Sequence, residues 1–259
     1  MAIEPFIDIY QVGKSFAMRD GSSVLAVDKV QLEVGSHEFV SLLGPSGCGK
    51  STLLSIIAGL LQATQGVVRI RGVPVSAPHT DIGIVFQNDL LLDWRTVLQN
   101  VLLQYEMRGR DPGPHVETAH RLLASVGLAG FESKYPWELS GGMRQRVSIC
   151  RALIHDPPLL LMDEPFGALD ALTREQMQLD LQRIWQNTRK TVVFVTHSIS
   201  EAVFLSDRVV VMTPRPARIQ QVLPIDLPRP RGLEVRDTER FSANVRAINL
   251  LFQEMGVLH

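Results

Sequence analysis

Only two of the 259 residues are cysteine, Cys48 and Cys150, and they stand far apart. Two small buried thiols in a reducing compartment are therefore expected, rather than a disulfide. Neither sign of charge dominates. Lys and Arg number 26 against 27 Asp and Glu, a formal net charge of −1, so no global basic field argues for a nucleic-acid partner. The opening "MAIEPFIDIY" has no basic stretch followed by an apolar run, and no secretory signal is expected. The longest apolar segment, Leu53–Leu61 ("LLSIIAGLL"), is about half of what a bilayer crossing needs. There is no internal repeat and no low-complexity tract. The length suits one large α/β domain, or a domain with a sizeable insertion.

What the chain does have is punctuation by glycine. The apolar stretch Val34–Leu43 runs into "GPSGCGKST", and Ser51–Leu61 spaces its apolar residues as a helix does. Strand, glycine loop and helix are the setting in which G-x-x-x-x-G-K-[ST] holds phosphate. Its glycines expose backbone N–H groups as an anion nest, Lys50 adds a point charge, and Ser51 offers a hydroxyl to Mg²⁺. Short strands are expected at Val67–Arg71, Ile82–Phe86, Leu159–Met162, Thr191–Val195 and Arg208–Met212. The continuous apolar runs "LLLM" and "TVVFV" suit central strands covered on both faces.

Polar residues at strand ends supply the remaining chemistry. Asp163 follows "LLLM", where a carboxylate can hold Mg²⁺ through water. Glu164 comes next, facing the other way if the strand alternation continues, and can polarise an attacking water. Gln87 ends "IGIVFQ" and His197 ends "VVFVTH". Both would sit at the carboxyl edge of a sheet, where such folds bind ligands. Phe16 in "GKSF" suits stacking on a base as well as it suits a core. Between Gln87 and Ser140 the pattern turns helical, with Thr96–Met107 and Val116–Val126 separated by the breaker-rich "GRDPGPH". A second glycine motif, "LSGGM" (Leu139–Met143), opens a basic amphipathic helix, another place for an anion. After Met212 the chain is proline-rich, as an edge hairpin or a linker, and Phe241–Met255 is a final amphipathic helix.

These pieces, in this order, resemble the ATP-binding cassette (ABC) ATPases over nearly the whole chain. Phe16 matches the aromatic that stacks on adenine. Gly44, Pro45, Ser46, Gly47, Cys48, Gly49, Lys50, Ser51 and Thr52 match the Walker A loop, and Gln87 the Q-loop. Leu139–Met143 matches the signature "LSGGQ", Leu159–Asp163 Walker B, Glu164 the catalytic base, Gly167–Asp170 the D-loop and His197 the switch histidine. The resemblance implies ATP and Mg²⁺ as ligands, with Ser51, Gln87 and Asp163 around the metal. It implies a head-to-tail homodimer in which Ser140, Gly141 and Gly142 close on ATP held by the partner. That explains two anion loops in one chain. Met143 replaces the usual glutamine, which leaves phosphate contact to Ser140 and backbone N–H groups.

The fold implied is α/β: a P-loop NTPase core with a mostly parallel central sheet, an N-terminal antiparallel β part and a helical subdomain insertion. The core would take residues 1–87 and 157–225, the helical subdomain 88–156, and a C-terminal extension with a helix 226–259. The stretches "LLDWRTVLQNV", "DEPFGALDALTREQMQ" and "PARIQQVLPIDLPRPR" resemble the ATPases of nitrate, sulfonate and taurine-type importers. Such a subunit would be peripheral, at the cytoplasmic face of the inner membrane, on an integral permease dimer fed by a secreted solute-binding protein. Trp94, in "DWRT", would be either a permease contact or a core aromatic. DNA-repair ABC proteins need long coiled-coil insertions, and translation-associated ones need two cassettes; this chain has neither. Export, lipoprotein release and ATP sensing without hydrolysis are the alternatives, and the last would suit a chain lacking Glu164 or His197.

Overall fold

The computed structural model describes residues 4–257. They form two compact units, one running to Thr80 and resuming at Trp185, the other the continuous stretch Asp81–Ile184.

The first unit opens with a long antiparallel pair, β1 (Ile7–Ala17) and β2 (Ser23–Val34). Strand β3 (Phe39–Leu43) begins a second sheet, while β4 (Gln65–Ile70) and β5 (Val73–Pro74) extend the first in the order β2-β1-β4-β5. Buried Ile7, Ile9 and Val12 put one face of β1 on the core. Strands β8 (Thr191–Thr196) and β9 (Arg208–Met212) flank β3 in parallel, and β10 (Ile219–Pro224) adds antiparallel to β9. Every residue of β3 and β8 is buried, as uninterrupted apolar runs demand of central parallel strands. Phe39 lies edge-on to Trp185 (6.0 Å between centroids) and tilted on Phe194 (5.8 Å). The helices here are α1 (Lys50–Ile57), α6 (Ile199–Leu205) and α7 (Glu239–Glu254).

Two sequence boundaries are corrected. Val34–Leu43 is not one strand: β2 ends at Val34 and β3 starts at Phe39. The turn between them places His37 in the left-handed region (φ 63°), and Gly35 N–H donates to Glu38 Oε2 at 2.8 Å. Helix α1 stops at Ile57, short of Leu61, because Gly59 takes φ +73° and its backbone lies against Ala77 O. The proline-rich stretch resolves into the edge hairpin β9–β10.

In the second unit β6 (Ile82–Val85) and β7 (Leu159–Asp163) pair in parallel. Helices α2 (Val97–Met107), α3 (Val116–Ser125) and α4 (Gly141–Leu153) share one apolar cluster. It includes Ala119, Leu123 and Val126, with Val116 and Leu122 packed against it, the face that the helical spacing predicts. Thr96 and Gln99 cap α2 reciprocally. Buried Asn100 donates to the carbonyls of Leu92, Arg95 and Thr96 and accepts from Leu92 N–H. That fixes the preceding turn and leaves Trp94 72% exposed, so Trp94 is no core aromatic. Helix α5 (Ala171–Thr188) follows β7 and has no counterpart in the sequence reading. Among the described residues no helix is long and apolar enough to cross a membrane. Both cysteines are buried thiols outside any disulfide.

Candidate nucleotide site

In the first unit β3 delivers the chain into Gly44–Gly49, and α1 leaves from Lys50. Gly49 (φ 125°) is the N-cap residue and, having no side chain, makes no cap hydrogen bond to the start of α1. A Cβ on Gly49 would lie 2.7 Å from Ala26 O, whereas one on Gly47 (φ +72°) would meet nothing within 4 Å. Gly49 is thus required by close backbone approach, and Gly47 by its left-handed conformation. Buried Lys50 donates from Nζ to Gly44 O (2.8 Å) and Pro45 O (3.0 Å), arching over the loop it belongs to. Ser46 and Ser51 are exposed, and Cys48 fills space beneath the loop. Phe16, 38% exposed on β1, has the Lys14 ammonium 5.2 Å from its ring centre, so it is a surface ring and not a core aromatic. His197 is exposed directly after β8. The start of α6 is built around it: Thr196 Oγ1 donates to Glu201 Oε2 at 2.7 Å and accepts from Ser198 N–H at 3.0 Å.

The second unit gathers Gln87, Asp163 and Glu164. Asp163 ends β7, and Gln87 is exposed two residues beyond β6. Glu164 lies outside the strand in a left-handed conformation (φ 44°), so its direction is set by a turn closed by Gly167 N–H to Glu164 O (3.0 Å), not by strand alternation. A Cβ on Gly167 would sit 3.5 Å from Gln87 Nε2 and 3.9 Å from Glu164 Cβ. The amide and the carboxylate residue therefore flank the same glycine.

The other glycine motif starts α4. Ser140 is its N-cap and accepts from Met143 N–H at 3.3 Å. Ser140, Gly142, Met143, Arg146, Leu172 and Thr173 line an open cleft of about 310 Å³. The basic residues of α4 are committed internally. Arg144 pairs with Asp89 (3.0 Å) and Arg146 with Asp180 (3.3 Å). Arg151 donates to Leu90 O (2.7 Å) and Asp89 O (2.6 Å), and burial lowers its pKa, partly offset by Asp89. Arg144 and Arg151 thus hold the segment just after Gln87. The sequence reading missed this, although their seven-residue spacing puts both on one helix face. Asp170, the last residue of the D-loop match, accepts from Thr173 N–H (3.0 Å) at the start of α5; hydrogen bonds from Thr173 hold its carboxyl below the usual range.

The residues present fit a nucleoside triphosphate. A helix start without a side-chain cap, an open glycine and a buried ammonium converge on one loop in the first unit.

Comparison with known proteins agrees with that chemistry. A family model described as ABC transporter matches residues 27–167. A taurine import ATP-binding protein of Rhizobium johnstonii is 47% identical over 244 residues, covering 94% of this chain and 93% of its own. An uncharacterized ABC transporter ATP-binding protein of Methanocaldococcus jannaschii is 54% identical over 212 residues, 82% of this chain and 79% of its own. Among solved structures, a dimeric bacterial ABC transporter cassette superposes with a TM-score of 0.75 at 33% identity, covering 88% of this chain and all of that one. A post-hydrolysis dimer of the same cassette, bound to ADP and Pi, gives 0.73. The chain belongs to the ABC transporter family and carries its ATP-binding cassette.

Proposed function

We propose that this chain is the peripheral ATPase subunit of an importer, converting ATP binding and hydrolysis in a head-to-tail homodimer into uptake of a small anionic solute of the nitrate, sulfonate or taurine type. As an ABC ATPase it hydrolyses ATP to ADP and phosphate. The observation that carries the reading is the pair of separate helix starts, α1 with Lys50 in one unit and α4 with Ser140 in the other, two places in one chain where an anion can be met.

In this reading Phe16 stacks on the adenine, and Gly44–Thr52 wrap the phosphates with Lys50 as the point charge. Ser51, Gln87 and Asp163 would hold Mg²⁺, which would supply charge neutralisation on the phosphates when bound. Glu164 takes a proton from the attacking water, and His197 and Gln87 read the terminal phosphate. Ser140, Gly141 and Gly142 meet the nucleotide of the partner subunit, for which the dimeric state of the solved relative is support. The taurine-import relatives support an import role. In this reading uptake runs through a separate integral permease dimer fed by a secreted binding protein, with this chain at the cytoplasmic face.

The test is uptake of taurine, an alkanesulfonate and nitrate by cells deleted for this chain. Loss of one uptake, restored by the wild-type chain and not by Lys50→Ala, is the expected result. Undiminished uptake of all three would remove the importer assignment and favour another ABC transport role.

A further inference from the structure

We infer that Arg215 is a positioning residue for the phosphate loop, fixing the Gly47–Cys48 peptide and so raising the affinity of the loop for nucleotide phosphates. The inference rests on the assignment of Gly44–Thr52 to the nucleotide.

Arg215 lies in the short connection between β9 and β10, within the first unit, and Nη2 donates to Gly47 O at 3.1 Å. The other half of that peptide is also held, since Cys48 N–H donates to Pro45 O at 3.3 Å. A peptide plane bonded through both its C=O and its N–H has lost its freedom to turn, so the neighbouring N–H groups of the nest keep their direction toward an anion. Gly47 needs such a hold. It is exposed, in a left-handed conformation, with open space around its Cβ position, so its own surroundings do not lock it.

The connection carrying Arg215 is itself braced. Ala217 N–H donates to Ala26 O and Ala217 O accepts from Asp28 N–H, both at 2.9 Å. Arg218 Nε donates to Asp28 Oδ2 at 2.8 Å, and Thr213 Oγ1 to Pro216 O at 3.0 Å. The same stretch walls the loop at both ends. Met212 O would be 3.1 Å from a Cβ on Gly44, and Ala217 Cβ 3.0 Å from one on Gly49. A braced hairpin thus presents a guanidinium to an exposed peptide of the loop.

The experiment is titration of ATP and of ADP, in Mg²⁺, onto the full chain as wild type, Arg215→Ala, Arg215→Lys and Lys50→Ala, with steady-state ATPase kinetics and thermal melting. Loss of one charge-assisted hydrogen bond predicts that Arg215→Ala weakens both nucleotides about tenfold. KM should rise with kcat at saturating ATP and the melting temperature unchanged, and Arg215→Lys should restore most of the affinity. Equal loss for ATP and ADP is the mark of action through the loop. Weakening of ATP alone would mean direct contact with the terminal phosphate and overturn the positioning role. Unchanged affinity of Arg215→Ala beside a collapsed Lys50→Ala would overturn the inference and leave the loop assignment standing. Wild-type affinity in Lys50→Ala would overturn both.

Discussion

Gly142 and Thr173 meet so closely that a methyl group on the glycine would lie 2.4 Å from Thr173 Cγ2. The threonine is not free to turn away, because its N–H and its hydroxyl both bond the Asp170 carboxylate. Gly141 is different: a Cβ there would find nothing nearer than 4.0 Å. One glycine of the signature pair is therefore demanded by packing within the second unit, before any nucleotide is considered. Gly142→Ala should cost about 1–3 kcal/mol as overpacking, and Gly141→Ala should leave the melting temperature unchanged. Adding Thr173→Ser to Gly142→Ala should recover most of the lost stability. A strictly additive pair would mean that the contact is not the cause.

The two glycine loops call for a mixing experiment. Ser140→Arg should leave ATP binding by its own chain nearly intact while abolishing hydrolysis, and Lys50→Ala should lose binding. In a head-to-tail heterodimer of these variants both lesions fall in one composite site, leaving the other clear of both. ATPase activity should therefore reappear when two inactive proteins are mixed. Collapse of ATP binding by Ser140→Arg itself would mean that the loop serves its own nucleotide.

Glu164 combines a catalytic assignment with a left-handed backbone (φ 44°). A residue with a Cβ is strained there and glycine is not, so Glu164→Gly should be more stable than Glu164→Ala by about 1 kcal/mol. Both should lose hydrolysis by about 10²–10⁴-fold if the carboxylate is the base. Glu164→Gln keeps the strain and should accumulate an ATP-bound dimer on gel filtration. Wild-type turnover in any of the three would remove Glu164 from the chemistry.

Acid should weaken the second unit through His155. Burial, and then the Arg108 guanidinium, bring its pKa from 6.5 down to about 4. Below the ordinary value the unfolded chain takes up a proton that the folded one refuses, so stability present near neutrality is lost as pH falls from about 6.5 toward 4. His155→Gln should melt with a smaller difference between pH 7 and pH 5 than wild type. An identical difference would assign the acid sensitivity to other groups.

The parts legible in the sequence are those where one local rule acts alone. Runs such as "FVSLL" and "TVVFVT" have no polar face to show water, and they became fully buried parallel strands. The helix starts near Thr96 and Ser140 and the glycines of the phosphate loop are legible locally, and the structure makes Thr96 and Ser140 the N-caps. Helix α5 was hidden because Gln178, Asp180 and Gln182 are buried beside Met177 and Leu181, which breaks the apolar stripe that reveals a helix. Val34–Leu43 was misread because a four-residue turn interrupts two strands of similar composition. Arg215 and the Gly142–Thr173 contact join residues distant in the chain, and no periodicity reports such meetings.

The first unit is assembled from both ends of the chain, and this has a consequence for its synthesis. Strand β3 finds its neighbours only when β8 and β9 have been made, whereas the second unit is one continuous stretch and is finished earlier. At ordinary translation speed, Phe39–Leu43 waits roughly ten to thirty seconds with both edges open. The wait does not end with β9. Arg231, nearly fully buried, donates to the carbonyls of Val203, Phe204 and Ser206 at the end of α6 (3.1, 3.0 and 2.9 Å), and these acceptors have no guanidinium until it leaves the ribosome. A nascent chain stalled before Arg231 would thus expose an unfinished helix end next to a sheet built for burial, the kind of surface that chaperones bind and aggregates grow from.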